Sequence, residues 1–174
     1  MLNNIGETLL FISFLAGLIG LYSYFVGIRK KSNLLVFIGT RSILAIFALL
    51  SISVLVLIYL LTTKDYSNAY VAKNISNDLS FIYSIAALWA GQEGSLLLWS
   101  WILSLYTLTI RFSKPFQSLL PSSESVSLFI LSFFIFLIVF VESPFDTLGT
   151  IGFYQRDSIC PTTLLAFDPC PSAL

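Results

Sequence analysis

The sequence predicts an all-α fold: a polytopic membrane bundle of four transmembrane helices with both termini outside. Three observations predict it. Of the 174 residues, 57% are apolar and only 10% are charged, against roughly 45–50% (glycine included) and 25% in an ordinary soluble domain. Four apolar runs approach or reach the roughly 20 residues that cross a hydrocarbon core of about 30 Å. The remaining charges fall almost entirely between those runs. A chain of this size cannot hide so much apolar surface in one water-soluble core. The net charge is zero, and the basic residues are too few for a phosphate-binding patch, so nucleic acid is not a partner.

The first run extends from about Leu9 to Ile28 and carries no charge. It is not a cleavable signal peptide, because Met1 to Thr8 contains no Lys or Arg and the basic cluster Arg29-Lys30-Lys31 follows the apolar run. Ser13, Ala16, Gly17, Gly20, Ser23 and Gly27 recur at spacings of three and four. They form one narrow face on which a neighbouring backbone can approach closely, which is how helices associate in lipid. The second run, about Ile43 to Leu61, has a weaker version of this face in Ser42, Ala45 and Ala48. The third covers Ser95 to Ile110, after an apolar approach from Leu79 to Ala90 and a break at Gly91-Gln92-Glu93-Gly94. The fourth, Val126 to Val141, stops at Glu142-Ser143-Pro144, where proline cannot continue a helix.

Orientation follows from the basic residues. With the N-terminus outside, the two inside loops hold Arg29, Lys30, Lys31, Arg41, Arg111 and Lys114, and the outside segments hold Lys64, Lys73 and Arg156. That bias satisfies the positive-inside rule. Of the acidic residues only Glu124 falls inside in this scheme. Tyr22, Tyr24 and Phe25 mark the inner end of the first helix, and Tyr59, Tyr66 and Tyr70 the outer end of the second, as headgroup-level anchors.

The stretch from Asp65 to Trp101 carries the most information. It begins as a polar loop, becomes apolar, breaks at the GQEG turn and enters the third helix. Glycines around Gln92-Glu93 allow a change of direction, and Glu93 in the first turn suits the positive end of the helix dipole and its unpaired N–H groups. Trp89, Trp99 and Trp101 are the only tryptophans. Trp99 and Trp101 diverge by about 200° on a helix, so at most one faces a site shared with Gln92 and Glu93. Two readings stand side by side: a capped helix start with interfacial tryptophans, or a platform for a flat amphipathic ligand.

Two segments of this stretch resemble the CcmF-type cytochrome c maturation proteins, the haem lyase family. In that family an aromatic-Val-Ala-x-Asn loop precedes Trp-x-x-(His or Gln)-Glu-Gly-Ser-Leu-Leu-Leu-Trp. Tyr70, Val71, Ala72 and Asn74 match the first segment, and Trp89, Gln92, Glu93, Gly94, Ser95, Leu96, Leu97, Leu98 and Trp99 match the second. The likeness in helix layout runs from about Met1 to Phe145, including Ser143-Pro144-Phe145 after the fourth helix. Residues 1–145 therefore read as the N-terminal module of such a protein, either a split piece or a truncated frame. Residues 146–174 read as an outside-facing irregular tail without a family match. Four of the six prolines lie between Glu142 and Leu174, along with Cys160 and Cys170. On an oxidising face those two thiols are either a disulfide or two unrelated groups.

The resemblance implies membership of the cytochrome c-type biogenesis system in the cell inner (plasma) membrane, with its working face periplasmic. It implies haem b as the substrate of the assembled system, and apocytochrome c, the remaining haem lyase polypeptide and other maturation proteins as partners besides the lipid bilayer. The attachment reaction forms thioethers between haem vinyl groups and the thiols of a Cys-x-x-Cys-His target. The sequence contains no histidine, so no imidazole base and no His iron ligand come from this chain. The tryptophan-rich segment of the family is also missing, and activity by this chain alone is not expected. No metal site is expected either. A different reading makes the chain a small transporter or channel subunit with Glu93 as an ion or proton site.

Overall fold

A computed structural model describes residues 2–75, 81–112 and 120–147. Four long helices dominate it: α1 (Leu2–Lys30), α2 (Asn33–Thr63), α5 (Gln92–Phe112) and α6 (Leu120–Phe140). Between α2 and α5 lie two single-turn helices, α3 (Ala69–Asn74) and α4 (Phe81–Ala86), and a 3₁₀ turn over Ala87–Trp89. No strand forms among the described residues; an isolated bridge pairs Asn68 with Thr147. The all-α prediction holds. Lys114 and the tail beyond Thr147, with Cys160 and Cys170, lie outside the described residues.

Three helices, α1, α2 and the Ser123–Phe140 part of α6, are long and apolar enough to cross a membrane. The sequence reading counted a fourth, α5. That helix has 21 residues, about 31 Å at 1.5 Å per residue, but it is the most polar of the long helices. It nonetheless packs inside the bundle. α1 packs on α2 and α6, and α5 packs on the same two from the other side.

The helices run longer than the apolar runs suggest. Arg41, expected in a loop, lies inside α2, which starts at Asn33 and continues through it. The Arg41 guanidinium lies 4.9 Å from the Phe37 ring centre, so an exposed charge is carried on the helix flank without ending it. The α1–α2 turn is correspondingly tight. Lys31 takes a left-handed φ of 49°, and the Ser32 N–H donates to Gly27 O at 3.1 Å, the Schellman arrangement usually built on glycine. Lys64 closes α2 in the same way with φ 55°, and Asp65 N–H donates to Leu60 O at 3.1 Å.

The small face of α1 is buried at Ser13, Gly17, Gly20, Ser23 and Gly27, with Ala16 partly so. A methyl group at Gly20 would meet Ser42 Cβ at 3.0 Å and Leu128 Cδ1 at 3.3 Å, and one at Gly27 would lie 3.1 Å from the Val36 nitrogen. On α2 the small face is different from the expected one. Ser42 is buried, but Ala45 and Ala48 face outward, and Gly39 takes their place by making room for the Tyr24 ring. Some buried hydroxyls of the bundle turn back to the preceding turn, Ser53 of α2 to Leu49 O at 3.0 Å and Ser100 of α5 to Leu96 O at 2.9 Å. That satisfies them without breaking the helix.

Two aromatic assignments are corrected. Tyr24 is not an interfacial anchor but is completely buried, with its hydroxyl donating to Glu124 Oε2 of α6 and lying 3.0 Å from Thr40 Oγ1 of α2. Glu124, placed in an inside loop by the sequence reading, is thus a buried member of α6 and 1% exposed. Tyr70 is likewise buried, at 3%. Tyr22 and Phe25 stay exposed as anchors should, as do Tyr59 and Tyr66.

Candidate functional site

At the end of the bundle opposite the α1–α2 turn, α3 and the start of α5 come together around one phenol. Asn68 begins α3 as its N-cap, its side-chain oxygen accepting from Val71 N–H at 3.1 Å. The same amide donates to Asn3 Oδ1 at 3.3 Å and to Pro144 O at 3.1 Å, while Ala69 N–H donates to Asp146 O at 2.9 Å. One side chain therefore ties α3 to the first turn of α1 and to the segment after α6. Phe145 completes the tie, because its ring fills the space over Gly6, where a methyl group would approach to 2.5 Å.

From α3 the Tyr70 side chain reaches under the GQEG turn. Its hydroxyl donates to Ala87 O at 2.8 Å, with Leu88 O at 3.2 Å, and accepts from Gly91 N–H at 3.2 Å. Ala87 O also accepts from Ala90 N–H at 3.0 Å, so the phenol adds a second bond there and ties the turn to α3. Burial, with the nearby Glu93 charge adding to it, pushes the Tyr70 phenol above its ordinary value, so it acts as a donor. The glycines have a use other than the expected one. Neither has a positive φ. A methyl group at Gly91 would meet Tyr70 Cε2 at 2.5 Å, and one at Gly94 would collide with Tyr70 Oη and lie 2.5 Å from Leu88 O. These glycines supply space, not a backbone conformation.

Glu93 lies in the first turn of α5 as expected, but not as a cap. Its carboxylate does not cap the helix start; Oε1 lies 3.6 Å from Lys73 Nζ of α3, and Oε2 is buried with no hydrogen-bond partner among the described residues. The Ser95 hydroxyl turns back into its own helix, donating to Gly91 O at 2.9 Å. Asn74 closes α3 by donating to Tyr70 O at 2.9 Å. Val71 is buried and Ala72 half-buried beneath them, and Gln92 is exposed.

The tryptophans divide as the helical angle requires. Trp101 turns towards α2, donating to Ser51 Oγ at 2.9 Å and stacking on Phe47 at 6.4 Å. Trp99 and Trp89 stand exposed, at 58% and 62%. Thus Tyr70, Val71, Asn74, Glu93 and Gly94 converge with Gly91, while Trp99 stands on the outer surface of α5. Asp146 adds a further carboxyl at this end, raised above its ordinary value by burial and by Glu7, Glu142 and Glu93. Among the described residues no group of His, Cys, Asp and Glu is arranged to hold a metal ion.

Asn68 and Lys73 escaped the sequence reading. Asn68 had a signal, an N-cap residue directly before the YVAKN segment. Its partners had none, being 65 and 76 positions away.

No protein-family model matches the chain. Among individual proteins it is similar to the "Cytochrome c-type biogenesis protein CcmF" of Haemophilus influenzae, 30% identical over 121 residues that make up 68% of this chain and 19% of that protein. The "Probable cytochrome c-type biogenesis protein NrfE" of Escherichia coli is 32% identical over 135 residues, 76% of this chain and 24% of that one. A solved structure titled "Cytochrome c Heme Lyase CcmF" superposes with a TM-score of 0.73 and 28% identity, over 84% of this chain and 24% of its own. The chain spans about a fifth to a quarter of the length of these relatives.

Proposed function

The chain belongs to the CcmF-type cytochrome c biogenesis family, and on that premise we propose that it takes part in presenting haem for covalent attachment to apocytochrome c. In this reading haem b is substrate, the working face is the α3 end of the bundle, and that face is periplasmic in an inner-membrane protein. The bundle has four spans with both termini outside. Residues 1–145 form the membrane module, and residues 146–174 are an appended segment.

The observation that carries the reading is the Tyr70 clasp. The YVAKN and GQEG segments, which together bear the family likeness, share one buried phenol and three hydrogen-bonded backbone groups. That builds a rigid shelf at the bundle end, with Trp89 exposed beside it. An exposed indole at the bilayer surface suits the flat face of a porphyrin. This chain's own residues orient and support. In this reading the iron ligands lie outside these 174 residues, because the sequence has no histidine and its one methionine is Met1.

The test is maturation of c-type cytochromes, read by haem staining, in cells lacking their own CcmF-type protein and carrying this chain with its partner polypeptide. Tyr70→Phe and Gly94→Ala should each reduce haem attachment, and Glu93→Gln should keep most of it. A Glu93→Gln chain that inserts at normal levels but supports no maturation would overturn the shelf reading and favour an ionisable site at Glu93.

A further inference from the structure

At the opposite end of the bundle, α1 and α6 do not close against each other completely. They leave a cleft of about 410 Å³, within the size range of small-molecule sites. Its walls are Leu21, Phe25 and Ile28 from α1 and Val126 and Phe129 from α6, with Arg29 and Ser125 at the rim. Phe25, Val126 and Phe129 are 58%, 60% and 66% exposed, so the slot opens sideways from the bundle.

The charge at its rim is of one sign. Arg29 is followed by Lys30 and Lys31, and no acidic residue occurs between Glu7 and Asp65 in the sequence. The Arg29 guanidinium lies 4.3 Å from the Phe25 ring centre, and among the described residues no carboxylate is within ion-pairing reach of it. Glu124, next in sequence to Ser125, does not neutralise it. That carboxylate is buried inside the bundle under the Tyr24 hydroxyl. An apolar slot opening towards the acyl region, with an unpaired guanidinium where a helix ends, is complementary to one molecule: a lipid whose headgroup is an anionic phosphodiester.

We propose that this cleft binds an anionic glycerophospholipid, an acyl chain lying between Phe25 and Phe129 and the phosphate on Arg29. The site is remote from the α3 end and does not depend on the haem reading. Phe25 holds the guanidinium by its ring face, so the cation stands over the slot's mouth before lipid arrives. Arg41 carries the same cation–aromatic pair with Phe37 on α2 but does not line the cleft, and it serves as the internal control.

The test is lipid retention by the full chain in detergent micelles, counted by native mass spectrometry after mixing with palmitoyl-oleoyl phosphatidylglycerol or the matching phosphatidylcholine. The intact chain should retain phosphatidylglycerol at least fivefold more than phosphatidylcholine. Arg29→Gln should remove that preference, Arg29→Lys should keep most of it, and Arg41→Gln should leave it unchanged. Val126→Trp, which fills the slot, and Phe129→Ala, which removes a wall, should each lower phosphatidylglycerol retention independently of charge. Equal loss in Arg29→Gln and Arg41→Gln would mean diffuse surface attraction and would overturn the site. So would equal retention of the two lipids by the intact chain. Displacement of phosphatidylglycerol by millimolar inorganic phosphate would overturn the lipid as occupant.

Discussion

Tyr70 shows how much one hydroxyl can organise. It bonds two carbonyls and one N–H of the turn before α5, adding to the bond that Ala87 O already accepts from Ala90 N–H. Replacing it with phenylalanine removes these bonds and leaves Ala87 O with only its bond from Ala90 N–H, a cost of about 1–3 kcal/mol. The loss should appear as earlier unfolding in a denaturant titration of the detergent-solubilised chain. Gly94→Ala should be at least as damaging, and combining it with Tyr70→Phe should not rescue it, because Leu88 O, a backbone atom, would still lie 2.5 Å from the new methyl. Full rescue would show that the phenol alone makes glycine necessary there. Glu93 behaves differently. Its partner Lys73 is 70% exposed whereas Glu93 is 15% exposed, so solvent screens the ammonium end and discounts what the pair contributes. Asp146 gives a pH-dependent prediction. Its carboxyl is held above the ordinary 3.8 by burial and three neighbouring carboxylates, so between that value and its folded value the folded state binds more protons. Stability therefore falls as pH rises through that window. Asp146→Asn should flatten the pH dependence of the melting temperature above the ordinary carboxyl value of 3.8. An unchanged slope in the variant would place its cause in other carboxyl groups.

Among the helices, α1 carries two kinds of contact that serve different ends. Its small face lets the α2 backbone at Val36 and the side chains of Ser132 and Leu128 on α6 pack closely, which supplies dispersion contacts in a solvent where apolar burial offers no gain. Its Tyr24 then adds a polar bond to Glu124 on α6, beside Thr40 on α2. A carboxyl group 1% exposed inside such a bundle needs that donor, since an unpaired one would be costly. Glu124→Leu should weaken the association of α6 with α1 by about 1–2 kcal/mol, near the upper end for interhelical polar bonds in membranes. Glu124→Gln, which still accepts from Tyr24, should cost less than half of that. Unfolding in sodium dodecyl sulfate followed by circular dichroism measures both. Equal effects would show that charge, not the hydrogen bond, is what Glu124 contributes.

In the molecule as a whole, the four long helices form a ring in which α1 and α5 lie on opposite corners and α2 and α6 bridge them. The segment after α6 returns across α3 and the start of α1 through Asn68, Pro144, Phe145 and Asp146. Such a ring places the α1–α2 turn at one end and the α3 shelf at the other. Reporter fusions should reflect this: cytoplasmic after Ser32 and Phe116, and outside after Asn74 and Leu174. A reporter at Leu174 active in the cytoplasm would remove α5 or α6 from the set of spans, and α5 is the helix whose polarity makes it the first to question.

The membrane-bundle class, the small face of α1 and the two segments that carry the family likeness were legible in the residues alone. Each depends on composition or on spacing along one helix, and local geometry converts spacing into a face without further information. The residues of the shelf could be named, but not what each one does there. Glycines that read as a turn instead make room for a ring more than twenty positions away, and a glutamate that read as a cap instead reaches a lysine on α3. Tyr24, Tyr70 and Glu124 looked like surface residues because amphipathic side chains occur both at membrane interfaces and in polar contacts between helices. Which of the two environments each one meets depends on the neighbour supplied by a distant part of the chain, and that is a property of packing.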